Sequence, residues 1–237
     1  MIKKHKSTVM KVAWHPNSQL LATGSSDFKA RVFSSYVRQI DDKQETAGFA
    51  VTAFGDECWE GSAGGWVDTV SWSPSGDILG FGGHDSSVTF VDFSGGVEAA
   101  TPQVLKFGDL PFEDSLFCSE KCFVGVGHSM NPLVFRKGGS GWVFERKLEE
   151  KSEKKEAEKA TSGVAAARAL FQNKTDKGQD GTSASDKLET THEASISCIK
   201  STCSDLTVKS FTTSGTDGKL VYWKLDELNM DMAALGM

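Results

Sequence analysis

An all-β fold assembled from one repeated unit is what this chain of 237 residues predicts, and three observations predict it. A run of residues recurs: Trp14-His15-Pro16 leads through Leu20-Leu21-Ala22-Thr23-Gly24-Ser25 to Asp27, and Trp72-Ser73-Pro74 leads through Ile78-Leu79-Gly80 to His84-Asp85, with tryptophan and aspartate 13 positions apart in both. The turn residues Asp27, Asp85, Ser129 and Asp217 are spaced by 58, 44 and 88 positions, the last being twice 44. Each is followed six residues later by a large apolar residue, Phe33, Val91, Phe135 or Trp223, that ends a strand. A period of about 40–45 residues is that of a propeller blade of four short antiparallel strands.

Each part of the unit has its own reason. The stretches Val9–Trp14 and Ser195–Ile199 alternate, if imperfectly, as inner strands do. Pro16 and Pro74 stand at the mouth of the turn that follows, where a missing amide costs least. Gly24, Gly82, Gly83, Gly127 and Gly215 are small where strands crowd together. Ser-Asp, His-Asp and Thr-Asp-Gly form the next turn, because aspartate bonds its own neighbouring amides. Trp14, Asp27, Trp72, Asp85, Asp217 and Trp223 are therefore read as blade-building residues, not as a catalytic set. The pattern is that of WD repeats, with about four blades present of an expected seven.

The expected organisation is blades over 1–144, a charged insertion over 145–192, and the last blade with its tail over 193–237. After Trp223, Leu225–Met230 reads as a helical tail and not as a fourth strand. The N-terminus enters an inner strand almost at once, so the strand that would close a ring is expected to be missing. That points to the C-terminal part of a larger propeller, with bare blade faces and an unpaired sheet edge that favour aggregation.

Composition narrows the function. The net charge of −6 and pI near 5.4 argue against nucleic acid as a partner, since only Lys3-Lys4-His5-Lys6 is basic in a run. No run approaches the ~18 apolar residues of a membrane span, and the first residues are not a signal peptide. The five cysteines, Cys58, Cys118, Cys122, Cys198 and Cys203, are an odd number without zinc spacing, and read as free thiols. No metal site and no cofactor are expected. The five histidines fall at repeat-equivalent turns or loops, with no Ser-His-Asp order or carboxylate pair, so the chain is not read as an enzyme.

The insertion departs from the repeat. Glu145–Lys159 is charged at 12 of 15 positions, and Glu150 and Lys154 have i,i+4 helical spacing. Lys174–Thr191 reads as flexible linker. Between them, Thr161 or Ser162 can cap a helix whose alanines favour helix and whose Val164, Ala167 and Phe171 share a face beside Leu170. Such a helix either folds back on the propeller or docks in a partner's groove.

These residues resemble those of the WD-repeat subunit 1 of the actin-related protein 2/3 complex. The likeness begins with Ser7-Thr8-Val9, Trp14-His15-Pro16-Asn17, Leu20-Leu21-Ala22, Gly24-Ser25, Asp27-Phe28-Lys29, Arg31 and Phe33-Ser34. It continues through Phe54-Gly55, Gly65-Trp66-Val67, Gly127-His128, Pro132, Phe135, His192 with Ser195, and the turn from Thr213 to Gly218. The inserted Ala167-Arg168 and Phe171-Gln172-Asn173 are its most specific part. The resemblance covers essentially the whole chain and roughly the C-terminal two thirds of the family. It implies a seven-bladed, non-catalytic scaffold subunit in nucleation of branched actin filaments, in the cytoplasm and actin cytoskeleton. The implied partners are the actin-related proteins and small subunits of that complex, the actin filament and nucleation-promoting factors. It also implies that Val164, Ala167, Arg168, Leu170 and Phe171 form a projecting helix facing the mother filament, Phe171 as buried anchor and Arg168 against an acidic surface. Ser129, where the turn aspartate is expected, departs from the pattern, as does the charge-rich arm before the insert. The alternative is a generic WD-repeat adaptor of another assembly, which has no need of the inserted helix.

Overall fold

A computed structural model describes residues 1–42, 48–49, 52–149, 190–202, 207–228 and 233–236. Their strands form four antiparallel sheets in chain order, each built as a meander. The first holds β1 (Val9–Trp14), β2 (Leu20–Ser25), β3 (Lys29–Ser34) and β4 (Glu57–Ser62). The second holds β5 (Val67–Trp72), β6 (Ile78–Gly83), β7 (Ser87–Asp92) and β8 (Pro102–Lys106). The third holds β9 (Phe112–Ser119), β10 (Cys122–Gly127), β11 (Leu133–Gly138) and β12 (Gly141–Lys147). The last has three strands, β13 (Ile196–Ser201), β14 (Ser210–Gly215) and β15 (Leu220–Lys224). A short 3₁₀ turn, Leu225–Leu228, follows β15 where a helical tail was expected.

The imperfect alternation of the inner strands has a physical cause. Each of β1, β5, β9 and β13 carries a register shift near its start, opposite the end of its neighbour. The residues passed over are Met10, Asp68, Glu113 and Ser197. A bulge of this kind bends the strand and re-aims one side chain, so period two breaks there. A second signature lies in the turn between the second and third strand of each sheet. The residue after Asp27, Asp85, Ser129 and Asp217 has positive φ in every case: Phe28 69°, Ser86 56°, Met130 59° and Gly218 77°. Only Gly218 adopts it without steric cost.

Successive sheets are held by separate apolar cores. Leu20, Ala22, Ala30 and Val32 of the first sheet pack with Val67, Trp72, Phe81 and Val91 of the second. Ile78, Val88 and Phe90 pack with Phe112, Phe123, Phe135 and Trp142 of the third, Phe90 stacking on Trp142 at 4.0 Å between centroids. Cys118, Cys122, Val124 and Val134 pack with Ile196, Ile199, Phe211 and Trp223 of the last. Burying one such side chain contributes about 1.5–3 kcal/mol, so each interface between sheets is a core in its own right. Polar links add to them at the inner strands. Lys11 of β1 pairs with the buried Asp114 of β9 at 2.8 Å, and Asp114 also accepts from the Ile199 amide of β13 at 3.1 Å.

Candidate functional site

The last sheet contains a continuous chain of hydrogen bonds from surface turn to core. Asp217 accepts from the amides of Glu193 and Lys219, both at 2.9 Å. His192 Nδ1 lies 3.1 Å from Asp217 Oδ2, and His192 Nε2 lies 2.8 Å from Thr213 Oγ1. Trp223 Nε1 donates to the same Thr213 Oγ1 at 2.8 Å. Because an ionised carboxylate only accepts, His192 carries its proton on Nδ1. Its Nε2 therefore accepts the Thr213 hydroxyl proton, whose oxygen accepts from Trp223. Burial would raise the Asp217 carboxyl, but the Glu193 and Lys219 amides and His192 overcome it and hold the group at about 2.

The first sheet repeats this chain with its polarity reversed. Its equivalent of Trp223 is Phe33, which donates nothing. The buried Arg31 takes up the room instead: NH1 lies 2.8 Å from Asp27 Oδ2 and 2.7 Å from His5 Nδ1, and Nε reaches Glu60 at 2.8 Å. Guanidinium only donates, so His5 Nδ1 accepts, and His5 Nε2–H donates to Thr23 Oγ1 at 2.7 Å. Thr23 passes its proton to the Arg31 carbonyl at 3.3 Å. Burial first, and then Arg31, lower the pKa of His5. Asp27, which burial would raise, is held at about 2 by the Lys6 amide and Arg31. His5 and His192 both stand four residues before a strand, a signal that could have marked both.

In the two middle sheets the bulge delivers an acid to the same end. Asp68 meets His84 Nδ1 at 2.8 Å, and Glu113 meets His128 Nδ1 at 3.3 Å. Trp66 lies tilted over His84, 5.2 Å away and 45 % exposed. Burial raises the Asp68 carboxyl against the pull of His84 and His128. Among the described residues no group of three or more His, Cys, Asp or Glu is arranged to hold a metal ion. No described helix is long and apolar enough to cross a membrane.

The root of the insertion is closed. Thr191 donates from its amide to both carboxylate oxygens of Glu149, at 3.1 and 3.0 Å, and its hydroxyl also reaches that carboxylate. The buried Asn131 grips Glu149 from the other side, donating to its carbonyl at 2.9 Å and accepting from its amide at 3.1 Å. Lys219 donates to the Thr191 carbonyl at 2.8 Å. Chain leaves the third sheet and enters the fourth through one clasp, whatever lies between.

The predicted residues fall in different places. Asp27 and Asp217 each join several strands and turns, whereas Asp85 accepts from Ser87 Oγ at 2.5 Å. Ser129, in the same place, donates from Oγ to the Asn131 carbonyl. Trp72 is 8 % exposed, stacked edge-on against His15 of the preceding sheet at 4.9 Å. Trp14, its repeat equivalent, is 58 % exposed, and no described residue plays for it the part His15 plays for Trp72. Val164, Ala167, Arg168, Leu170, Phe171 and also Cys203 lie outside the described residues. Cys118 and Cys122 are buried thiols, and Cys58 and Cys198 are half-buried ones.

Four sheets of meandering strands, the last with Asp, His, Thr and Trp bonded in sequence from turn to core, define a WD-repeat protein of propeller type. Residues 1–34 match the family model described as "WD domain, G-beta repeat". A chain in the crystal structure of a mitotic checkpoint complex shares the fold, with a TM-score of 0.60 over 94 % of this chain and 51 % of that one at 13 % identity. Over 235 residues the chain is 38 % identical to actin-related protein 2/3 complex subunit 1B of Arabidopsis thaliana, covering 97 % of this chain and 62 % of that protein. It is 34 % identical to subunit 1 of Schizosaccharomyces pombe, covering 93 % and 62 %, and to subunit 1A-B of Xenopus laevis, covering 95 % and 60 %. The chain is thus homologous to actin-related protein 2/3 complex subunit 1 along nearly its whole length and corresponds to a C-terminal part of those proteins, spanning less than two thirds of their length.

Proposed function

We propose that this chain serves as a non-catalytic scaffold in an actin-related protein 2/3 complex, supporting nucleation of branched actin filaments in the cytoplasm. The observation that carries the proposal is the 38 % identity along 97 % of the chain to a protein named as subunit 1 of that complex. The side-chain chemistry agrees with it. His5, His15 and His192 are committed to hydrogen bonds that hold blades together, and His84 and His128 face single carboxylates. Its partners in this reading are the actin-related proteins and small subunits, together with the actin filament and nucleation-promoting factors. The direct test is to tag the 237-residue chain in its native cell and identify what co-purifies. Recovery of both actin-related proteins with the small subunits is the expected result; recovery of chaperones alone sinks the reading. A hydrolase and phosphatase screen should show no turnover.

The inserted helix is assigned to the filament. The clasp of Glu149 and Thr191 supports this, because it anchors both ends of the insertion at one point between the last two sheets. Phe171→Ala should weaken filament co-sedimentation while the purified complex keeps its subunits. Loss of subunits instead would place Phe171 in the assembly core.

A further inference from the structure

The chain's last described residues do not stay with the last blade. After β15 and its 3₁₀ turn, Ala233–Gly236 lie against the third sheet, at the turn joining β9 to β10. Ser119 Oγ, at the end of β9, donates to the Leu235 carbonyl. The stem of Lys121 lies over Gly236: a Cβ on that glycine would meet Lys121 Cδ at 3.4 Å. Gly236 has φ 75°, and its amide closes a turn onto the Ala233 carbonyl at 3.1 Å. Leu235 is 1 % exposed, as fully buried as a core strand residue. It belongs to the core shared by the last two sheets, with Cys118, Cys122 and Val124 from one and Ile199, Phe211 and Trp223 from the other.

From these contacts we infer that Ala233–Gly236 is a strap that seals the seam between the third and fourth blades. Three features favour this over chance packing of an end. The tail crosses from the sheet it leaves to the one before it. It is tied by a side-chain hydrogen bond as well as by burial. And the sheet it braces has three strands among the described residues, with β15 unpaired by a further strand on its outer side there. An interface closed by one short segment opens locally when that segment lifts, well below the free energy of global unfolding.

The two buried thiols of this core are the natural reporters. In the full chain, thiol labelling followed by peptide mass spectrometry compares Cys118 and Cys122 with Cys58, which lies in the first sheet. Leu235→Ala should speed labelling of Cys118 and Cys122 at least tenfold and leave Cys58 unchanged. Leu235→Met, similar in volume, should restore slow labelling, and Ser119→Ala should give an intermediate rate. Unchanged rates at Cys118 and Cys122 in Leu235→Ala would overturn the strap. So would an equal rise at Cys58, which reports loosening of the whole chain and not of one seam.

Discussion

At the scale of single residues, two chemically similar hydrogen-bond chains run in opposite directions because an arginine stands in one of them. Where the last sheet has Trp223, the first has Phe33 with Arg31 beside it. Donor-only arginine turns His5 into an acceptor at Nδ1, while acceptor-only Asp217 turns His192 into a donor there. Nitrogen-15 NMR of the ring nitrogens should find His5 protonated at Nε2 and His192 at Nδ1; the same tautomer at both would refute the assignment. Trp223→Phe leaves Thr213 Oγ1 short of a donor inside the core and should cost about 2 kcal/mol in urea unfolding. Ser86 holds a left-handed conformation at φ 56° that glycine takes at Gly218, so Ser86→Gly should stabilise by about 1 kcal/mol, raising Tm by about 3 °C. The equivalence of the turns at Asp27, Asp85 and Asp217 was legible from spacing, and the residue after each has positive φ. Arg31 was not legible: it sits in a strand among apolar residues, and its burial is explained by Asp27, four positions earlier, together with Glu57 and Glu60, far off in sequence.

At the scale of elements, the inner strands teach the most. Their hydrophobic pattern is broken by bulges at Met10, Asp68, Glu113 and Ser197, so strict period-two reading underrates them. The count and order of strands could still be read, since turns at Pro16, Pro74 and the aspartates mark their ends. The clasp at the insertion could not. Glu149 falls within a run of charges that looks like solvated surface, and nothing local says that its carboxylate meets Thr191, 42 positions on. Glu149→Ala should therefore speed amide exchange at Thr191 about tenfold, equivalent to ~1.4 kcal/mol, without altering exchange in β5 to β8. Unaltered exchange at Thr191 would show that Lys219 alone fixes the segment.

At the scale of the whole molecule, three cores in series join four sheets, and the titratable groups holding their turns decide how the array responds to acid. His5 and His15 have pKa values lowered below 6.5, both chiefly by burial. Such a histidine binds a proton more readily unfolded than folded, so its share of stability is present at neutral pH and falls away as pH drops below about 6.5. Asp27 and Asp217 titrate at about 2 in the fold against 3.8 ordinarily, so their share survives that first stage and is lost between about pH 4 and pH 2. Asp68 works the other way, since its raised carboxyl gains a proton early, but it is one group against two in that range. Urea midpoints measured from pH 8 to pH 3 should thus hold level near neutrality, fall below about 6.5, and fall again below about 4. A His5→Asn, His15→Asn double variant should lower the starting level and abolish the first fall while keeping the second. A midpoint that stays level from pH 7 to pH 5 in the unaltered chain would mean that the two buried imidazoles accept protons without disturbing the first blade, and that Arg31, not His5, carries that blade's turn.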